Sequence, residues 1–183
     1  RFDFRRVSIK DISDRLEYIC NEELIVDYEQ SALQRIAALS SGFVREAVSL
    51  LEKCVGYSNN ISLDNVEKVL GCVKYDTLFN LLDALYNKKQ DRAMEIINGL
   101  KECNSDLISV FDDILGFLIE CAKYQKTNNI LLTKIPSNYK NSLDKYKDDL
   151  MVFVDRAFKF RQMCLTVEID TILDILILDL CRR

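Results

Sequence analysis

The residue of greatest chemical interest is an arginine, Arg45, in the stretch SSGFVREAVSLLEKC (40–54). Apolar spacing predicts a helix that begins just after Gly42, which places Arg45 in its first turn. A cation at a helix N-terminus opposes the macrodipole and costs about 0.3–1 kcal/mol when exposed. It becomes useful if an anion binds, because the N-terminus offers free N–H groups and a guanidinium clamps phosphate oxygens bidentately. Periodicity leaves open whether Arg45 binds an anion or is an ordinary solvated arginine.

Other chemistry finds little support in the sequence. The chain has no histidine, which excludes Ser-His-Asp and Cys-His arrangements and a Cys/His zinc site. Neither a Walker A sequence nor GxGxxG occurs. None of the seven cysteines forms a CxxC pair, and most lie among apolar residues, which is typical of reduced, buried thiols. Adjacent carboxylates such as Asp112/Asp113 and Asp148/Asp149 point to different sides of a helix. We therefore expect no catalytic residue and no metal ligand.

Composition indicates an all-α globular protein. Of 183 residues, only 5 are glycine and 1 is proline, a scarcity of turn residues that argues against sandwiches and barrels. The net charge of −4 argues against binding nucleic acid through its phosphates. Residues 28–56 could form a helix-turn-helix, but the predicted exposed face of its second helix mixes signs: Arg45, Glu46, Ser49, Glu52 and Lys53. No signal peptide and no membrane-spanning apolar run is visible.

Capping signals divide the first 71 residues into three or four short helices. SIKD at 8–11 and DYEQ at 27–30 both look like capping boxes. Ser62 is placed to cap a short helix, and Gly71 stands where that helix should stop.

Longer helices are predicted beyond this point, over about 75–87, 90–102, 106–126, 143–163 and 167–182, with a loop at 126–142. The last helix is apolar over more than half its circumference, so it must be buried on more than one side. It is either a central core helix or part of a subunit interface, and the pattern favours neither. The candidate interface residues are Ile172, Leu173, Leu176 and Leu180.

Three stretches in order carry a family resemblance: RFDFRRVSIKDISDRL (1–16), SALQRIAALSSGFVREAVSLLEK (31–53) and ISLDNVEKVLG (61–71). They resemble the bacterial DNA polymerase III gamma/tau subunit, the ATPase of the replicative clamp loader. The sensor 2 motif Gly-x-x-Arg-(Asp/Glu)-Ala-x-Ser-Leu stands here as GFVREAVSL (42–50), with Glu46 where the family usually has Asp. The resemblance is weaker over 75–100 and rests mainly on helical pattern thereafter.

The resemblance implies an all-α, two-part organisation, with an AAA+ lid at 1–72 and a five- or six-helix collar at 73–183. It makes Arg45 the sensor 2 arginine, which reaches the terminal phosphates of ATP, and places Val44 beside the nucleotide. The parent protein would use ATP to load the sliding clamp on primed DNA. Other clamp-loader subunits would bind through the collar, and the clamp and DNA through the ATPase core. The expected location is the bacterial cytoplasm, with no membrane partner.

The family's Walker motifs, zinc module and Ser-Arg-Cys arginine finger would lie upstream of Arg1. ATP and its Mg²⁺ would therefore be held mostly by that core, with no cofactor tightly bound to this chain and no ATP hydrolysis by it alone. Alternatives remain open: the lid and collar of a delta-prime or replication factor small subunit, a helical adaptor without a nucleotide role, or the helix-turn-helix.

Overall fold

The computed structural model describes residues 5–25, 27–103, 106–164 and 167–182. The chain divides into two compact units, residues 1–71 and 72–183. The described residues form ten α-helices, and their only β-type pairing is an isolated bridge between Tyr28 and Ile61. The predicted all-α class is confirmed. No helix in the described part of the chain is long and apolar enough to cross a bilayer.

The first unit consists of four helices around one core. They are α1 (Ile9–Glu22), α2 (Gln30–Leu39), α3 (Val44–Tyr57) and α4 (Leu63–Leu70). Local caps set several ends, as predicted: Ser8 and Ser62 side chains accept the backbone N–H of the third helical residue, and Gly71 ends α4 with a φ of 67°. The core consists of apolar residues from all four helices and the loop before α4: Ile12, Leu16, Cys20, Ala32, Leu33, Ile36, Ala37, Ala47, Leu51, Cys54, Ile61 and Val66.

The predicted capping box at 27–30 is wrong. The helix begins at Gln30, with Glu29 as a cap residue that makes no side-chain capping bond. Instead, the Ile61 N–H donates to the Asp27 carbonyl at 2.9 Å, and the Glu29 N–H donates to the Ile61 carbonyl at 3.0 Å. The Asp27 carbonyl and the Glu29 N–H are therefore bonded to Ile61, so the Asp27 carbonyl does not accept the first hydrogen bond of a helix. The Glu29 carboxylate accepts the first N–H of α4, from Leu63, at 2.9 Å.

The second unit has five longer helices and one short one. They are α5 (Tyr75–Tyr86), α6 (Gln90–Cys103), α7 (Leu107–Thr127), α8 (Lys140–Leu143), α9 (Met151–Met163) and α10 (Ile169–Leu180). Two 3-10 turns, Ile130–Leu132 and Ser137–Tyr139, occupy the predicted loop.

The start of α9 lies well beyond the predicted residue 143. Side chains of other helices bind the backbone of the segment before it: Tyr86 Oη accepts the Lys147 and Asp148 N–H groups, and Gln125 Oε1 accepts that of Leu150. Gln125 Nε2 also donates to the Asp148 carbonyl at 2.6 Å. These tertiary bonds replace the helical ladder, so periodicity alone could not locate the helix start.

The last helix lies in the core of its own unit. The four candidate interface residues, Ile172, Leu173, Leu176 and Leu180, are all at most 1% exposed, within a cluster that draws on α5, α6, α7 and α9. Burial within their own unit is what the core-helix alternative predicts, and the assignment of these residues to a subunit interface stays a prediction. The exposed apolar residues of α10 are Ile175 and Leu178, at 44% and 43%.

Candidate functional site

The turn between α2 and α3 sets the direction of the arginine-bearing helix. Ser41 and Gly42 both have left-handed backbone, with φ of 53° and 90°, so the chain reverses within a few residues of Leu39. Glycine is required at 42 on two grounds. Its φ is unfavourable for other residues, and a Cβ there would stand 2.7 Å from the Arg6 Cβ. The turn closes with the Phe43 N–H donating to the Ser40 carbonyl at 3.0 Å.

Arg45 is the second residue of α3, in its first turn, as predicted. Its side chain is exposed, and among the described residues the guanidinium has no hydrogen bond or ion pair. Among the described residues, no side chain caps the N-terminus of α3, where the N-cap residue is Phe43. The first-turn N–H groups and the guanidinium are therefore both available to an external acceptor, beside one carboxylate, that of Glu46.

The start of α1 lies beside the start of α3. The Val7 N–H donates to the Gly42 carbonyl at 3.0 Å, and the next residue, Ser8, is the N-cap of α1. Two helix N-termini therefore meet at one end of the unit, where positive ends of both macrodipoles add. The surrounding charged side chains are exposed and more often cationic than anionic: Arg5, Arg6, Lys10 and Arg45 against Asp11 and Glu46. This end of the unit can attract an anion.

Val44 is half-buried and packs against the core of the first unit. It anchors the first turn of α3 to the unit while part of its surface remains open. The face predicted for a recognition helix is also exposed, namely Arg45, Glu46, Ser49, Glu52 and Lys53. Its charges balance, two cations against two carboxylates, which does not suit a DNA backbone.

Sequence reasoning missed one contact at this site. The Arg6 guanidinium lies over the Phe43 ring, 5.7 Å from its centroid, and the ring is 56% exposed. A large apolar side chain at an N-cap position, where polar residues are preferred, was the available signal. Within the described residues, no group of three or more potential metal ligands occurs.

No protein-family model matches the chain. Several curated proteins do. It is 26% identical to DNA polymerase III subunit tau of Bacillus subtilis over 150 residues, which is 81% of this chain and 25% of that protein. It is 26% identical to DNA polymerase III subunit gamma of Buchnera aphidicola over 145 residues, 79% of this chain and 40% of that protein. Replication factor C large subunit of Methanopyrus kandleri is 34% identical over 106 residues, 58% of this chain and 21% of that protein.

Among solved structures, the Bacillus subtilis DNA clamp loader delta protein matches 98% of this chain and 58% of its own, with a TM-score of 0.50. At 17% identity this likeness concerns the fold alone.

These findings define the class of protein. The homologues are clamp-loader subunits, and the chain has the fold of a clamp-loader C-terminal region. Within that class, the tau and gamma matches cover larger shares of this chain than the replication factor C match does, which confirms the resemblance to the gamma/tau subunit. The chain spans well under half the length of each of these curated relatives.

Proposed function

We propose that this chain is the nucleotide-sensing and subunit-joining part of a clamp-loader ATPase. Residues 1–72 act as the AAA+ lid and residues 73–183 as the collar. The chain folds as two compact units that divide within a residue of this position, which supports two separate roles.

Arg45 is the sensor 2 residue in this proposal, and it binds the terminal phosphates of ATP. The single observation that carries the proposal is its position: an exposed guanidinium at a helix N-terminus, with no partner and no side-chain cap among the residues that the structure describes. A cation at a helix N-terminus is opposed by the macrodipole unless an anion binds there. The position of the Arg45 guanidinium, close to the N-terminus of α1, is suited to binding a phosphate that another part of the protein holds. Val44 supports the turn and offers part of its surface to the nucleotide.

The parent protein would load the sliding clamp on primed DNA at the cost of ATP, in the cytoplasm. Its core would hold ATP and Mg²⁺ and contact the clamp and DNA, and the collar would bind other clamp-loader subunits. ATP contacts made by Arg45 and lost after hydrolysis would move the lid relative to that core, a ligand-driven shift between conformations. The similarity to replication factor C keeps that type of loader as the alternative parent; the upstream sequence decides between them.

The test uses the full-length protein that contains this chain, assembled with its loader partners. Arg45→Ala should raise the KM for ATP or lower kcat, so that kcat/KM falls about 10- to 100-fold, because a charge-assisted hydrogen bond contributes about 1.5–3 kcal/mol. Arg45→Lys should recover part of this loss, since it keeps the charge without the bidentate fork.

Lys53→Ala is the matched control, an exposed cation on the same helix and far from its N-terminus. It should leave ATP hydrolysis unchanged. Equal effects of Arg45→Ala and Lys53→Ala would show that only net charge matters, and no effect of either would contradict the sensor 2 assignment.

A further inference from the structure

We propose that residues 5–7 are a positioning element for Arg45, and that they act through Arg6 and Phe43. The inference that Arg45 binds a phosphate depends on the function proposed above. The inference that residues 5–7 position Arg45 depends only on contacts within the first unit.

The segment touches the turn before α3 at three consecutive points. The Arg6 Cβ stands where a side chain at Gly42 would be, 2.7 Å from the ideal Cβ position. The Val7 N–H donates to the Gly42 carbonyl at 3.0 Å, and the Arg6 guanidinium covers the Phe43 ring at 5.7 Å. Residues 42 and 43 are therefore contacted by the backbone of Val7 and by both the aliphatic stem and the guanidinium of Arg6.

The other described hydrogen bonds of the turn are local, including the bond from the Phe43 N–H to the Ser40 carbonyl. Ser41 adopts a left-handed backbone that costs a non-glycine residue free energy, and Phe43 contributes no side-chain cap to α3. Nearby bonds are local to the end of α2: the Ser40 N–H donates to Ile36 and its hydroxyl to Ala37. Within the described residues, the contacts with 5–7 and the packing of Val44 against the core of the first unit tie the start of α3 to other parts of the chain.

A shift of the turn moves the Arg45 guanidinium, because Arg45 lies two residues beyond Phe43 on a rigid helix. Whatever displaces residues 5–7 therefore displaces the phosphate-binding group, which couples the preceding chain to the start of α3.

Amide hydrogen exchange on this 183-residue chain tests the positioning directly. The reporters are the amides of Val7 and Phe43, each bonded to a backbone carbonyl of the turn. Arg6→Met keeps the aliphatic stem and removes the guanidinium, whereas Phe43→Ala removes the ring without adding a side-chain cap to α3. In either variant the Val7 amide should exchange about two- to five-fold faster, the loss expected for an exposed cation–π contact. Gly42→Ala should accelerate it more than about tenfold, because the new Cβ meets Arg6.

Arg15→Met is the matched control. It removes a guanidinium from another aromatic ring of the same unit, that of Tyr18 at 4.9 Å, and should leave the Val7 amide at its wild-type rate. If Arg6→Met and Phe43→Ala leave that rate unchanged, or Arg15→Met changes it equally, the positioning role is overturned; both readouts stand even if Gly42→Ala does not fold.

Binding of a non-hydrolysable ATP analogue to the full-length protein separates this inference from the proposed function. Arg6→Met and Phe43→Ala should each raise Kd, by less than Arg45→Ala does. Accelerated exchange with no effect of Arg45→Ala on Kd would support the positioning element and refute the nucleotide role. A raised Kd in Arg45→Ala, with exchange and Kd unchanged in Arg6→Met and Phe43→Ala, would support the nucleotide role and refute the positioning element.

Discussion

Replacing Leu176 by alanine should destabilise the second unit, because this side chain is fully enclosed. Leu176 is 0% exposed on α10, and its neighbours include residues of several other helices. The substitution removes three carbon atoms, and at about 0.8 kcal/mol for each buried methylene the transfer term alone is about 2.4 kcal/mol. The cavity left behind adds to this, so the expected loss in the free energy of unfolding is about 2–5 kcal/mol.

The neighbouring residue on the same helix supplies the matched control. Ile175 is 44% exposed, so Ile175→Ala should cost below about 1 kcal/mol. The assay is urea unfolding followed by far-UV circular dichroism, with hydrogen exchange of the α10 amides to assign the affected unit. Sedimentation of both variants measures their mass in solution.

The two explanations of the last helix differ in this experiment. A core helix predicts a large loss of stability in Leu176→Ala with unchanged mass. A loss below about 1 kcal/mol, or a change of mass without loss of stability, would refute the core-helix explanation.

Two further predictions concern polar groups. Burial and the adjacent Asp83 carboxylate raise the pKa of Tyr146, so the folded state favours the neutral phenol, whereas the unfolded chain ionises near pH 10. Stability of the second unit should therefore fall as pH rises above about 10. Unfolding measured between about pH 8 and 11 should show a shallower fall in Tyr146→Phe, whereas replacing the exposed Tyr18 by Phe should leave the slope unchanged. Equal slopes for the wild type and both variants would contradict the mechanism. Ser62→Ala should cost the first unit about 1 kcal/mol in urea unfolding, because it removes the N-cap of α4, whereas the exposed mid-helix Ser49→Ala should stay within about 0.5 kcal/mol.

The helix ends that could be predicted from sequence are those fixed by local bonds. Ser8 and Ser62 cap helices through residues three positions away, and Gly71 ends α4 through its own backbone conformation. The ends that could not be predicted depend on distant partners. Asp27 and Glu29 pair with Ile61, and the backbone before α9 is bound by side chains of α5 and α7.

The candidate site also combines features that local sequence determines with features that depend on distant partners. The place of Arg45 in a first turn follows from Gly42 and the apolar spacing after it, all of which are local. The exposure of its guanidinium does not follow from periodicity, because an ion pair with another helix would leave the same pattern. The contact of Arg6 with Phe43 joins residues far apart in the sequence, so only the fold reveals it.

The sensor 2 role requires that Arg45 meets the terminal phosphate of a nucleotide. The most direct measurement is the ratio of ADP to ATP dissociation constants for the full-length protein, with and without Arg45→Ala. This role predicts that the substitution weakens ATP about tenfold or more and ADP much less, so that the ratio falls. An unchanged ratio, whatever the absolute affinities, would contradict it.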